Sequence, residues 1–426
     1  MSVATVVTGL GVAAPNGLGA AAYWSAVRRG DSGIGPITRF DARRYPGSLA
    51  GEITDFRARD HLSSKMITQT DRTTQFALAA TDWALSDAAV EPASRQEFDM
   101  GVVTAACAGG FDFGFRELEK MWGKGPEYVS AYQSIAWFYA VHTGQIAIRH
   151  GMRGPSGVLV GEHAGGLDAI GQARRQIRKG TGLIVTGGMG GALSSWGWVA
   201  QWSGGRLSVV ADVSRAYLPF DASASGYVPG EGGAILILEN AETARDRAAP
   251  RIHGEIAGYA STFDPRPGTG REPGLRGAIE LALADAGLTA ADIDVVFADA
   301  AGSPSLDRIE ADAITSVFGP GRVPVTAPKT MTGRLYSGSG PLDVATALLS
   351  IRDGVIPPTV NVRAAPEHRI DLVTGTARAA DLSAALVLAR GRGGFNSAVV
   401  LTGTPERGEG DDRQPADHRS AACDPA

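Results

Sequence analysis

Short apolar runs of β character alternate with helical periodicity through almost the whole chain, and that alternation leaves few folds open. The runs lie at residues 3–7, 102–104, 158–160, 183–185, 234–238, 295–298, 384–388 and 398–401. Each is brief, apolar and bounded by Gly or polar turn residues, the pattern of a strand buried on both faces. Between them, Phe76, Ala80, Trp83 and Ala84 share one helix face. Leu275, Ile279, Ala282 and Ala286 share another, with Gly287 placed to end that helix in a left-handed turn. Strands alternating with helices predict an α/β fold built in layers. At 426 residues the chain exceeds one ordinary domain, so two halves are expected. The turn-rich stretch TFDPRPGTGREPG, residues 262–274, reads as the bridge that divides them. From residue 404 onward the sequence is polar and aperiodic, which predicts a disordered tail over 404–426.

Charge and composition remove whole classes of function. A net charge of −5 without a basic block argues against nucleic acid as a partner. Two cysteines, Cys107 and Cys423, stand too far apart to suggest a disulfide framework. His61, His142, His150, His253, His368 and His418 are dispersed without metal-ligand spacing, so no metal is expected. No apolar run is long enough for a membrane span and no basic leader opens the chain. A cytoplasmic protein without membrane attachment is the expectation.

One segment has the layout of a nucleophile's seat. In GVLVGEHAGGLDAIGQARRQIRKG, residues 157–180, an apolar strand feeds a small-residue turn and then an amphipathic helix. Such junctions commonly hold Ser or Cys, because helix N–H groups there support developing negative charge. Here the junction holds Glu162, His163 and Ala164. The helix places Leu167, Ile170, Ala173 and Ile177 on one side and gathers Arg174, Arg175, Arg178 and Lys179 in its last turns. Those cations complement the helix dipole, or else offer a docking surface for an acidic partner. Cys107, in ACAGG, is the alternative nucleophile, although no helix of the right register is expected to begin there.

Several segments taken together resemble the β-ketoacyl synthase family. YLPFDASASGYVPGEGGAILILE, residues 217–239, resembles its Pro-Phe-Asp to Gly-Glu-Gly segment. APKTMTGRLYSGSGP, residues 327–341, is similar to its Lys-x-x-x-Gly-His segment. VFADAAGSPSLDRIEADAI, residues 296–314, and GRGGFNSAVV, residues 391–400, match the segment of the first catalytic His and the closing Gly-rich turn. The resemblance spans nearly the whole chain and implies a thiolase-like α/β fold, two similar halves in an αβαβα arrangement. On that frame the halves run 1–255 and 256–403. Decarboxylative condensation in this family needs one Cys to hold the acyl chain and two His to stabilise the enolate. The matching positions here are His163, Ala301 and Arg334, whereas Asp307, Glu310, Lys329 and Gly333 of the surrounding frame remain. The resemblance implies structural roles near the old site for Asp307, Glu310 and Lys329, with Lys329 and Glu310 as a buried pair.

A chain with this pattern resembles one branch, the chain-length factors, or ketosynthase β-subunits, of type II aromatic polyketide synthases. YVSAYQSIAWFYAVHTGQIAIRHGMRGPSG and SSWGWVAQW carry that likeness. The branch usually has Gln where active ketosynthases have Cys; this chain has His163. The resemblance implies a heterodimer with a ketosynthase α-subunit, through an apolar interface including residues 158–160 and 132–139. It also implies acyl chains arriving on the phosphopantetheine of an acyl carrier protein, with no cofactor of the chain's own. Phe111, Gly114 and Leu118, spaced to share one face of a helix beginning near Phe111, match the positions that line the tunnel end and gate product length. In this reading Phe111 narrows the tunnel, Gly114 opens it and Leu118 sits between. Arg390 and Arg392 stand where the family's closing turn carries aromatics, which implies a closed site on this side. Trp196 and Trp198 read as packing residues.

Three alternatives stay open. His163 can hydrogen-bond a malonyl thioester and promote decarboxylation, with Glu162 orienting the ring. Cys107 can serve as nucleophile. The chain can act as a scaffold that recruits the carrier protein, with the basic helix end at 174–179 as its docking surface.

Overall fold

The computed structural model describes residues 4–266 and 268–404. Eleven strands follow one another across a single sheet: β1 (Thr5–Ala14), β2 (Met100–Ala105), β3 (Ser156–Leu159), β4 (Leu183–Gly190), β5 (Gly232–Asn240), β6 (Gly254–Phe263), β7 (Val295–Phe297), β8 (Pro324–Thr326), β9 (Asp371–Leu372), β10 (Ala384–Arg390) and β11 (Phe395–Thr402). Their spatial order is β9-β8-β7-β10-β11-β6-β1-β5-β4-β2-β3. From its centre the sheet repeats one pairing pattern in both directions. β1 pairs antiparallel with β5, β5 antiparallel with β4, then β4, β2 and β3 run parallel. β6 pairs antiparallel with β11, β11 antiparallel with β10, then β10, β7 and β8 run parallel. The two runs meet where Val6 and Val7 of β1 face Glu255 and Gly254 of β6.

Alternation along each strand sorts side chains into layers. Leu236 and Leu238 of β5, with Val295 and Phe297 of β7, enter one central cluster. Their neighbours Ile235 and Ile237 turn to an outer cluster under α1 (Arg72–Asp87). Val296 and Ala298 turn to the opposite outer cluster, under α6 (Leu275–Ala286). The central cluster is filled by α4 (Gly165–Arg178) and α8 (Ser339–Asp353), which pack on each other between the halves. Helix, half-sheet, helix pair, half-sheet and helix follow in that order, the arrangement expected. Helix α6 ends in a left-handed Gly287, as its sequence required.

The turn-rich stretch 262–274 is not the bridge between halves. It follows β6, which already pairs with β11 of the second half, and leads into α6. It lies on the connection from β6 to α6, within one half. Of the expected tail, residues 405–426 lie outside the described residues.

Candidate functional site

The old catalytic position sits where edge strand β3 hands over to α4. Glu162 adopts φ +52°, a left-handed turn just before α4, and both Glu162 and His163 line the small pocket there. Close packing demands the second of the two glycines that follow: an added Cβ at Gly166 would overlap the Ser337 carbonyl and the ring of Pro341.

His163 is walled in. It is 4% exposed and stacks flat on Tyr336, ring centres 5.0 Å apart, with Tyr227 edge-on at 6.0 Å. Its Nε2 lies 3.5 Å from Nε of Arg334, while Nδ1 has no partner among the described residues. Burial, and next the Arg334 charge, push its pKa well below the ordinary value, so the ring is neutral. Glu162 does not orient it. The Glu162 carboxylate accepts from the backbone N–H of Arg392, and the Glu162 carbonyl accepts from the thiol of Cys107 at 3.1 Å. Burial raises that thiol to about 12, which favours its protonated form.

Ala301 offers no functional group, and Arg334 is claimed by a carboxylate. Nη1 of Arg334 donates to the Asp299 carbonyl at 2.6 Å, and Nη2 to Oδ1 of Asp299 at 2.9 Å. Both side chains are buried, 4% and 5% exposed. Burial disfavours the Asp299 charge, but the guanidinium outweighs it and holds the carboxylate below its usual range. Arg390 is fixed nearby, donating to Asn396 at 3.1 Å and Asp264 at 3.3 Å, while its backbone N–H donates to Asp299. What space remains among His163, Tyr227, Ala301, Arg334 and Arg390 amounts to about 80 Å³. That is room for a few waters.

Lys329 and Glu310 are both buried but are not a pair. Lys329 bonds Asp343 at 2.7 Å and also donates to the Ala298 carbonyl. Glu310 spends both oxygens on the N–H groups of Asp299 and Ala300, at 2.6 and 2.8 Å, bracing the left-handed turn at Ala300. The second turn of α8 brings Asp343 to the lysine, and backbone donors claim the glutamate. Burial and the Asp299 charge raise Glu310 to about 7. Asp307 accepts from the backbone of Phe220 at 3.1 Å and Gly302 at 3.0 Å, tying two loops to the start of α7 (Pro304–Phe318).

The second group of expected site residues stands on α2 (Phe111–Gly123), which leaves the carboxyl end of β2 next to β3. At its Gly114 a Cβ would stand 3.5 Å from Cε3 of Trp137, ordinary van der Waals contact, so the indole bounds the space beside the glycine. Trp137 follows α3 (Gln133–Ala136) and stacks on Trp196 of α5 (Ser195–Trp202), which meets Phe111 edge-on at 5.1 Å. Trp198, by contrast, is a core residue at 1% exposure. Ile135, Trp137, Phe138, Tyr139 and Val160 are all exposed, and the outer edge of β3 has no strand partner among the described residues. An apolar patch on an unpaired edge is a surface built to be covered. At the basic end of α4, Arg174 is no docking residue: it is buried, bonding Asp285 at 2.5 Å and the Ala257 carbonyl.

Family models for the β-ketoacyl synthase N-terminal and C-terminal domains match residues 4–244 and 253–363. The chain belongs to the β-ketoacyl synthase family. It is 61% identical, over 93% of its length and 98% of the relative's, to the actinorhodin polyketide β-ketoacyl synthase 2 of Streptomyces coelicolor. It is 60% identical, over 93% of its length and 97% of the relative's, to the tetracenomycin ketoacyl synthase β-subunit of Streptomyces glaucescens. Among solved structures, the ishigamide ketosynthase/chain length factor superposes with a TM-score of 0.87 at 28% identity, covering 95% of this chain and all of that one. A type II ketosynthase in complex with its acyl carrier protein and a hexaketide gives 0.85 at 26% identity, with the same coverage.

Asp299, Asp343, Tyr227, Tyr336 and Trp137 were not singled out from sequence. A buried Arg at 334 demands a carboxylate, but nothing in the spacing says which one, since Asp299 lies 35 residues away.

Proposed function

We propose that this chain is the non-condensing β-subunit, or chain-length factor, of a type II aromatic polyketide ketosynthase. One observation carries the reading: within an intact ketosynthase frame, the Arg334–Asp299 ion pair fills the chamber where the condensing chemistry needs a thiolate and two imidazoles. The relatives at about 60% identity, named as β-subunits and second synthases of polyketide pathways, support it. Its partner is a ketosynthase α-subunit, met across β3 and residues 132–139, and an acyl carrier protein supplies the acyl chains. Phe111, Gly114 and Leu118, on one face of α2 beside that surface, gate the end of the shared tunnel. Among the described residues no helix is long and apolar enough to cross a membrane.

Co-expression with the cognate α-subunit followed by native mass spectrometry tests the assignment. A one-to-one heterodimer is expected, with every acyl group on the partner or the carrier protein. A stable monomer that ignores its partner, or a self-acylated chain, overturns it. A second reading, that His163 assists malonyl decarboxylation, has one observation in its favour: a neutral imidazole with a free Nδ1 borders the residual cavity. The stacked Tyr336 and the cavity's size stand against it.

A further inference from the structure

Three glycines on α2 and the loop before it form a seat for one side chain. At Gly109 an added Cβ would overlap the carbonyl oxygen of Trp137, and at Gly110 the carbonyl of Ala136. At Gly114, one turn into the helix, a Cβ would reach only to the edge of the indole. The ACAGG motif is thereby explained: its glycines let the backbone of residues 136–137 lie directly on the start of α2. Glu117, on the same helix and 5% exposed, fastens the other end of the segment. Its carboxylate accepts from the backbone N–H of Ser130 at 2.7 Å and from Nζ of Lys120 at 2.7 Å. Trp137 is thus pinned between Gly114 and the ring of Trp196, which lies parallel to it at 6.2 Å, yet it remains 43% exposed on the side facing the apolar surface.

We propose that Trp137, rather than the missing side chain at Gly114, sets the depth of the tunnel end on this subunit. The inference rests on the gating role given above to Phe111, Gly114 and Leu118. The indole borders the space the glycine leaves, it stacks on the equally large Trp196, and its backbone lies directly on Gly109, where a Cβ would overlap the Trp137 carbonyl. Removing the ring opens room between α2 and α5 that altering Gly114 cannot open. The backbone seat survives, because Gly109 and Gly110 bear on main-chain atoms.

The test uses full-length heterodimers carrying Trp137→Ala, Trp137→Leu or Phe111→Ala, supplied with carrier protein and malonyl thioester. Product chain length is read by mass spectrometry at matched heterodimer yield. Trp137→Ala is expected to shift the main product by at least one two-carbon unit toward longer chains, and Trp137→Leu to shift part of it. If Phe111→Ala changes the length while whichever Trp137 variant assembles does not, the assignment of Trp137 is wrong and the gating reading stands. If neither position changes it, the gating reading itself fails and takes the inference with it.

Discussion

Two neighbouring places at the carboxyl ends of β2 and β3 have been closed by different physics. Around His163 the closure is electrostatic: Arg334, Asp299, Lys329, Asp343 and Glu310 are buried and mutually satisfied. Around Gly114 it is steric, made by rings laid against glycines, with the outer face left half-exposed. A charge network is over-determined, because deleting one member strands another in low dielectric. A packed aromatic on a glycine seat can be trimmed with only local loss. The first arrangement ends a chemistry, and the second leaves a dimension adjustable.

The largest effect should come from cutting the charged region. Arg334→Ala leaves Asp299 buried and unpaired and is expected to destabilise the fold by about 3–5 kcal/mol, the range for breaking a buried ion pair. Urea unfolding measures it, and a loss below about 1 kcal/mol would erase the contrast between the two regions. Next, Gly109→Ala should push residues 136–137 off α2. Heterodimer yield is expected to fall at least about tenfold, while the unfolding midpoint of the isolated chain moves less than in Arg334→Ala. Equal loss of stability in both variants would show that the glycine seat belongs to the global core.

The charged region should also reveal itself by pH. Glu310 rises from 4.5 to about 7 in the fold, so the native state binds more protons than the unfolded chain across that window. Its contribution is fully present below pH 4.5 and is lost as pH rises toward about 7, and Glu310→Gln should remove that slope from stability-versus-pH measurements. An unaltered slope would assign it elsewhere. The smallest effect is expected at His163. In a complex whose partner lacks its own nucleophile, His163→Ala should change carbon dioxide release from malonyl carrier protein by less than about twofold. Acid–base catalysis by this residue requires roughly tenfold or more.

The layered fold was legible because fully buried strands are continuous apolar runs, and all eight expected strands are present. Strand β6 escaped notice because EIAGYAST mixes Gly, Glu and small residues, with only alternate positions buried. Helix α8 escaped for the opposite reason: it is buried on all sides from Ser339 to Ser350 and shows no amphipathic stripe. Within the site, His163, Ala301 and Arg334 were located by the family resemblance, and the helix starting at Phe111 by its residue spacing. Partnerships did not follow. Lys329 with Asp343, Arg334 with Asp299 and Gly114 with Trp137 join elements brought together only by the tertiary fold. Charge and size state that a partner must exist without naming it.

The bare outer margin of β3 has a consequence for the cell rather than for the reaction. With no strand partner among the described residues, and with the exposed Val160 at its end, it forms a template that an extended segment can join. A subunit of this kind is safe only while it is matched. Its soluble amount should therefore follow the supply of its partner, and surplus copies should be lost to aggregation or proteolysis, so synthesis of the two chains has to be kept in step.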